Sequence, residues 1–302
     1  MFCQFRLASC RLASYTERHR VETLQTGALF GRNDFLLRRL HSLTGLVPVG
    51  AYMVVHLATN ATVIDGPRSF QSRVDMIHSL GWFLPFVEWT FIFLPLLFHA
   101  LFGVILIRSG QQNVSNYPYQ GNVRYFLQRL TAWIALAFIF WHVFEMHGWI
   151  KPAAEQFGGA KFRHRYATSS AAGVIQSSPV LEIFYLVGVL ACVYHLANGT
   201  WTAGITWGLW STAAAQRRAN WVCLAIGVLV AGLGLSALVG IKRVNVEQAF
   251  QVEQQINAQK VASGEITQHE ADEIPDLPQL KAQNGDESQA EQAASATQRD
   301  ES

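Results

Sequence analysis

Four histidines, His56, His99, His142 and His195, lie inside four successive apolar stretches of a 302-residue chain. An imidazole that deep in hydrocarbon costs several kcal/mol, roughly, unless it has a partner. One such histidine is readily satisfied by a neighbouring helix, whereas four in consecutive stretches point to a common chemical task. Counted from the start of its stretch, His56 is 13 residues in, and His99, His142 and His195 are each 15 in. Consecutive spans run in opposite directions, so these offsets alternate between two depths. His56 and His142 fall toward the outer side, and His99 and His195 toward the inner side. A pair of imidazoles from two helices can ligate a b-type haem iron on both axial positions. Two pairs would hold two haems on the order of 14 Å apart, close enough to pass electrons across the bilayer. Satisfied structural histidines and a proton relay are the competing uses.

Helical geometry supplies further candidates, because residues eleven apart lie within about 20° of one face and ~16 Å along the axis. Eleven before His56 is Gly45 and eleven before His142 is Thr131, both small and both facing the inner level. Eleven before His99 is Glu88, facing the outer level. His41 follows Arg38 and Arg39 at the entrance to the first stretch and, fifteen residues before His56, shares broadly the same face.

The elements that must position these side chains are membrane spans. Half of the residues are hydrophobic and 15% are charged, and the apolar ones are gathered into blocks. The blocks are Leu43–Ile64, Leu84–Ile107, Leu127–Trp149, Val180–Trp201 and Trp221–Ile241, each near the ~20 residues a spanning helix requires. The fold expected is an all-α integral membrane protein of five transmembrane helices, four of them forming the haem-binding bundle. Pro48 and Pro95 should kink their spans. Trp82, Trp89, Trp149, Trp201 and Trp221 sit near span ends as interface aromatics do. With the N-terminus cytoplasmic, the inner segments hold twelve basic residues and the outer ones eight, which favours that orientation.

The two ends differ from the middle. Residues 1–37 are a basic extension, read as cytoplasmic, with an Arg-rich transit peptide and a misplaced start codon as alternatives. Residues 38–243 form the five-helix domain. Residues 244–302 carry 3 basic against 12 acidic residues and read as an acidic low-complexity tail, disordered or at most a solvated helix near Val244–Val261. The cysteines, Cys3, Cys10, Cys192 and Cys223, have no cluster-ligand spacing, and no dinucleotide or Walker loop is present. Nothing suggests nucleic-acid binding.

The segments RRLHSLTGLVPVGAYMVVHLATN, FVEWTFIFLPLLFHALFGV, WHVFEMH and VYHLANGTW, in this order over about Phe35 to Ile241, resemble the single-chain, two-haem cytochrome b subunit of succinate dehydrogenases and fumarate reductases. The resemblance implies that His56 and His142 hold the distal haem and His99 and His195 the proximal one. It places His41 near the inner haem propionates, with Arg39 and Ser42 as flanking contacts. It implies a flavoprotein with covalent FAD and an iron-sulfur protein as partners, a membrane quinone, menaquinone in this type, as electron acceptor or donor, and a bacterial cytoplasmic membrane location. Quinone chemistry moves protons with electrons, which makes Glu88 a candidate proton-transfer group, with Glu145 and His147 similarly placed; an interfacial Glu88 beside Trp89 is the plainer reading. The chain itself has no equipment for oxidising succinate. Other readings are a quinol:fumarate reductase subunit, the membrane cytochrome of a hydrogenase or formate dehydrogenase, an ascorbate-linked cytochrome, a haem-free anchor, and a proton-coupled transporter.

Overall fold

The computed structural model describes residues 33–275, and these are helical throughout apart from short connections. Most of the basic extension, with Cys3 and Cys10, and the tail beyond residue 275 lie outside the described residues. Five helices are long and apolar enough to cross a membrane: α1 (Asp34–Asp65), α3 (Gly81–Arg108), α4 (Gln120–Met146), α7 (Pro179–Thr206) and α8 (Ala213–Arg243). Between and after them lie α2 (Pro67–His78), α5 (Lys151–Gln156), α6 (Ala167–Ile175), α9 (Val246–Ala262) and α10 (Gln268–Ala271).

The two prolines do not simply bend their spans. Pro48 lies within a π-helical turn, Gly45–Gly50, and Pro95 follows another, Trp89–Phe93. A proline lacks the N–H for the ladder and its ring crowds the carbonyl four residues back; a widened turn relieves both. The first of these turns begins at Gly45, one of the small residues expected at the inner level.

α7 is the centre of the bundle, packed against α4, α8 and the Gly45–Gly50 turn of α1, while α8 covers α1 and α3 lies against the start of α1. Leu57, Phe138, Tyr185, Val189, Val193 and Val230 form the buried apolar core that joins α1, α4, α7 and α8. Large apolar side chains such as Leu101, Phe140, Val228 and Leu229 stay exposed on the outer faces, as suits helices whose solvent is lipid.

A second core sits at one end of the bundle, where Val63, Phe70, Val74, Ala167, Ala171, Ala172, Ile241 and Val246 pack together. It joins α2, α6 and the start of α9 into a cap. Here the expectation of a solvated tail helix is corrected. α9 forms close to where it was expected but is packed, with Glu253 and Asn257 fully buried. The Glu253 carboxylate accepts the N–H groups of Thr168 (2.6 Å) and Ser169 (3.3 Å) and the Ser169 hydroxyl (2.6 Å), satisfying orphan donors in the first turn of α6. Asn257 donates to the Arg165 carbonyl at 3.1 Å, and Lys260 pairs with Asp75 of α2. Gln71, also fully buried, donates to the His164 carbonyl (2.7 Å) and accepts from Ala167 N–H (3.0 Å).

The third loop is tied to the bundle as well. The N–H groups of Ala160, Lys161 and Phe162 donate to the carbonyls of Phe144, Glu145 and Met146 at 3.0, 2.7 and 3.2 Å. Those carbonyls are the last of α4 and have no partner within their own helix.

Candidate functional site

The four in-span histidines form two ring pairs. His56 of α1 lies beside His142 of α4, ring centroids 5.8 Å apart and the planes at 72°. His99 of α3 lies beside His195 of α7, centroids 6.1 Å apart at 87°. These are the two pairs expected from depth alone. Each joins alternate spans of the first four, so both pairs reach across the bundle. Gly45 sets the separation: a Cβ built there would meet the His99 ring, and Gly45 is eleven residues before His56, so the two levels differ by about 16 Å of helix.

The ring nitrogens are not equivalent. His99 Nδ1 faces the His41 carbonyl at 2.9 Å, and His195 Nδ1 faces the Gln128 carbonyl at 3.2 Å. A carbonyl only accepts, so in the His99 ring Nδ1 carries the proton and Nε2 keeps its lone pair, whereas His195 Nδ1 lies 3.2 Å from both the carbonyl and the side-chain amide nitrogen of Gln128 and can pair with either. Gln128 holds His195 further: its amide nitrogen donates to the His195 carbonyl (3.2 Å), and its amide oxygen accepts from Asn198 (2.7 Å). At the other level His142 Nδ1 lies 3.3 Å from the Tyr185 hydroxyl. A ring nitrogen anchored in this way leaves its partner oriented as a metal ligand.

The remaining candidates divide between the two levels. His41 stacks on His99, centroids 4.1 Å apart and planes at 6°. Arg39 lies over the Phe35 ring at 4.4 Å and near the Trp207 ring at 5.2 Å, and Ser42 is half-buried beside them. His41 Nδ1, Arg39 Nε and Arg129 Nε are buried without a hydrogen-bond partner in the protein. Toward the other end of the bundle Glu88 Oε2 is 3.6 Å from His147 Nε2, and Tyr52 lies against His56, centroids 5.5 Å apart. Glu145, by contrast, is buried in the protein and pairs with Lys161 at 3.3 Å. Thr131 turns its hydroxyl onto the Leu127 carbonyl (2.7 Å), as an ordinary in-span threonine does.

Sequence reasoning passed over Gln128, Tyr185, Asn198 and Lys161. The first three were detectable as polar side chains within apolar spans, where each needs a partner. Lys161 had no such signal, since only the loop's path brings it to Glu145.

The arrangement suits a haem. Among the described residues no three His, Cys, Asp or Glu side chains converge, so a metal held entirely by side chains, such as tetrahedral zinc, has no ligand set here. Paired imidazoles suit an iron whose other ligands belong to a macrocycle. Gly45 keeps the backbone of α1 against the His99 ring, and the buried, unpartnered Nε atoms of Arg39 and Arg129 suit acidic substituents.

No family model matches the chain. It is, however, 37% identical over 208 residues to the succinate dehydrogenase cytochrome b558 subunit of Bacillus subtilis (strain 168), an alignment covering 69% of this chain and 97% of that relative. Identity of that extent, on a bundle of five membrane-length helices, makes the chain a multi-pass membrane protein that belongs to the family of succinate dehydrogenase cytochrome b subunits.

Proposed function

We propose that this chain is the membrane anchor and dihaem electron-transfer subunit of a succinate:quinone oxidoreductase, with its N-terminus on the cytoplasmic side. The observation that carries the reading is the two histidine pairs, on four consecutive spans and at two levels. Two b-type haems, when bound, supply one-electron centres at those levels. His56 and His142 would hold the outer one, and His99 and His195 the inner one. The His41 carbonyl holds the His99 imidazole in the tautomer that leaves Nε2 free, and Gln128 holds the His195 ring at Nδ1. Arg39 and His41, with Ser42 beside them, hold the propionates at the inner end. A flavoprotein and an iron-sulfur partner dock at that end, and the iron-sulfur partner delivers the electrons.

Quinone reduction takes up two protons with two electrons, so the outer end must hold a proton beside the ring. In this reading the Glu88–His147 pair does so, at Oε2 and Nε2 3.6 Å apart. Menaquinone is the quinone proposed, following the two-haem type. Reversed flow, as in a quinol:fumarate reductase, uses the same residues.

The test is haem per chain and the reduced-minus-oxidised visible spectrum of the purified protein, for wild type and His99→Ala. Two b-type haems falling to one is the expected result. A well-folded wild type without haem would overturn the reading in favour of an anchor or transporter.

A further inference from the structure

Two neighbouring spans carry the same spacing, a histidine followed four residues later by a glycine: His41 and Gly45 on α1, His99 and Gly103 on α3. Four residues are about one helical turn, so each glycine lies on the same face as its histidine. The two helices use the spacing reciprocally. A Cβ at Gly45 would collide with the His99 ring, and one at Gly103 would stand 3.3 Å from His41 Cε1. Each ring therefore lies over bare backbone of the opposite helix. This close approach stacks the two rings on each other, centroids 4.1 Å apart and planes at 6°.

His41 also holds His99 by its backbone. The His41 carbonyl, which accepts the N–H of Gly45 within α1, takes the Nδ1 proton of His99 at 2.9 Å. The outer torsion of a histidine side chain is broad, so one hydrogen bond leaves the ring free to tilt about it. A parallel ring against its face removes that tilt. The outer pair has looser neighbours: Tyr52 lies 5.5 Å from His56 at 31°, and Phe138 lies 5.6 Å from His142 at 20°.

Resting on the dihaem reading above, we infer that His41 is a positioning residue for His99, its stacked ring fixing the plane of that ligand across the plane of His195, at 87°. This task is distinct from contact with a propionate. The stack uses the face of the His41 ring and leaves its edge, where Nδ1 is buried without a partner, for an acidic group. In a ferric haem with two axial imidazoles, the angle between the ring planes sets the largest g value in electron paramagnetic resonance. Crossed planes bring two iron d orbitals close in energy and raise it, whereas parallel planes separate them and lower it. The inner pair stands almost at the crossed limit, so rotation of His99 can only lower g.

The experiment is low-temperature electron paramagnetic resonance of the purified, haem-loaded complex carrying His41→Ala, His41→Phe or Gly103→Val. The inner signal is identified as the one lost in His99→Ala. His41→Ala removes the stack and keeps the carbonyl, and the inner signal should move to lower g and broaden. His41→Phe keeps a flat ring without nitrogens, and the inner signal should stay at the wild-type g. Gly103→Val adds two carbons beyond a Cβ already 3.3 Å from His41 Cε1, and should reproduce the His41→Ala shift with both histidines intact. The outer signal should stay in place throughout. Equal shifts with His41→Ala and His41→Phe would trace the effect to the ring nitrogens and overturn the stack, as would an unmoved inner signal in His41→Ala. If His41→Ala fails to hold the inner haem, His41→Phe decides: two haems at the wild-type g support the inference, and loss of the inner haem overturns it. A wild type with fewer than two haems would fail the dihaem reading itself, a result distinct from two haems with an unmoved g value.

Discussion

Glu253 offers the sharpest test of how the end of the chain is held. Its carboxylate is fully buried and accepts three hydrogen bonds, two from backbone N–H groups of α6 and one from Ser169 Oγ. In Glu253→Gln one amide oxygen can still accept from Thr168, but the amide nitrogen then faces the Ser169 N–H as donor to donor. Bonds to a charged acceptor contribute about 1.5–3 kcal/mol each and a buried orphan donor costs about 1–3 kcal/mol. Losing one bond outright and weakening another should therefore cost about 2–4 kcal/mol. At 1.4 kcal/mol per factor of ten, that raises the opening equilibrium of the α6–α9 contact from about thirtyfold to several hundredfold. Hydrogen exchange in detergent or nanodiscs reads this directly. Peptides over residues 163–176 and 246–262 should exchange faster by that factor, while those from the spans do not change. Exchange in residues 163–176 within twofold of wild type would refute the argument that Glu253 holds the first turn of α6.

Three further outcomes are expected. Gly45→Leu should block the inner level, because a side chain there meets the His99 ring, and should lower haem from two to one per chain; Gly232→Ala, where an added Cβ meets nothing within 4 Å, is the control. The cap should loosen in acid. Burial lowers the pKa of His164 to about 4, the adjacent His78 and nearby Arg165 and Lys151 adding to it and Asp75 opposing. Burial also lowers that of His78, with Glu88 and Asp75 opposing and Arg165 and His147 adding. The stacked rings, 4.3 Å apart, are thus held neutral while the opened cap takes up protons at the ordinary value near 6.5. Stability is therefore complete above about pH 6.5 and falls as pH drops toward 4, measurable as a lower protection factor over residues 163–176 at pH 5 than at pH 7.5, once the slower intrinsic exchange in acid is divided out. Finally, Glu88→Gln should slow quinone turnover while leaving both haem spectra intact; unchanged turnover would remove Glu88 from proton transfer.

The spans were legible because each is a long apolar block with few charges, and hydrocarbon permits few other structures. The histidine pairs were legible because depth in a span is countable along the chain, and antiparallel neighbours convert equal counts into two levels. What was not legible depends on contacts far apart in sequence. Tyr185 is 43 residues from His142, and Gln128 is 67 from His195; screening the spans for charge alone overlooked both. The π-helical turns at Pro48 and Pro95 were expected only as kinks, since a proline announces the loss of a ladder bond but not how the backbone absorbs it. α9 was misread for a related reason. Its many glutamines and glutamates match a solvated helix, and the donors that satisfy Glu253 lie 84 and 85 residues earlier.

The third loop faces two ways, toward the end of α4 and toward the cap. On one side residues 160–162 hydrogen-bond to the end of α4 and present Lys161 to Glu145. On the other, α6 is held by Glu253. The link between the two sides includes the Arg163 N–H to Ser170 Oγ bond at 3.1 Å and the Phe162 side chain, which packs against the core of the cap, while the backbone bonds of residues 160–162 run to α4. Releasing α6 from Glu253 therefore leaves the three backbone bonds at α4 in place. Glu253→Gln should accelerate exchange over residues 163–176 but not over residues 157–162. Equal acceleration over both would mean that α6 and the end of α4 move as one body, coupled through Phe162.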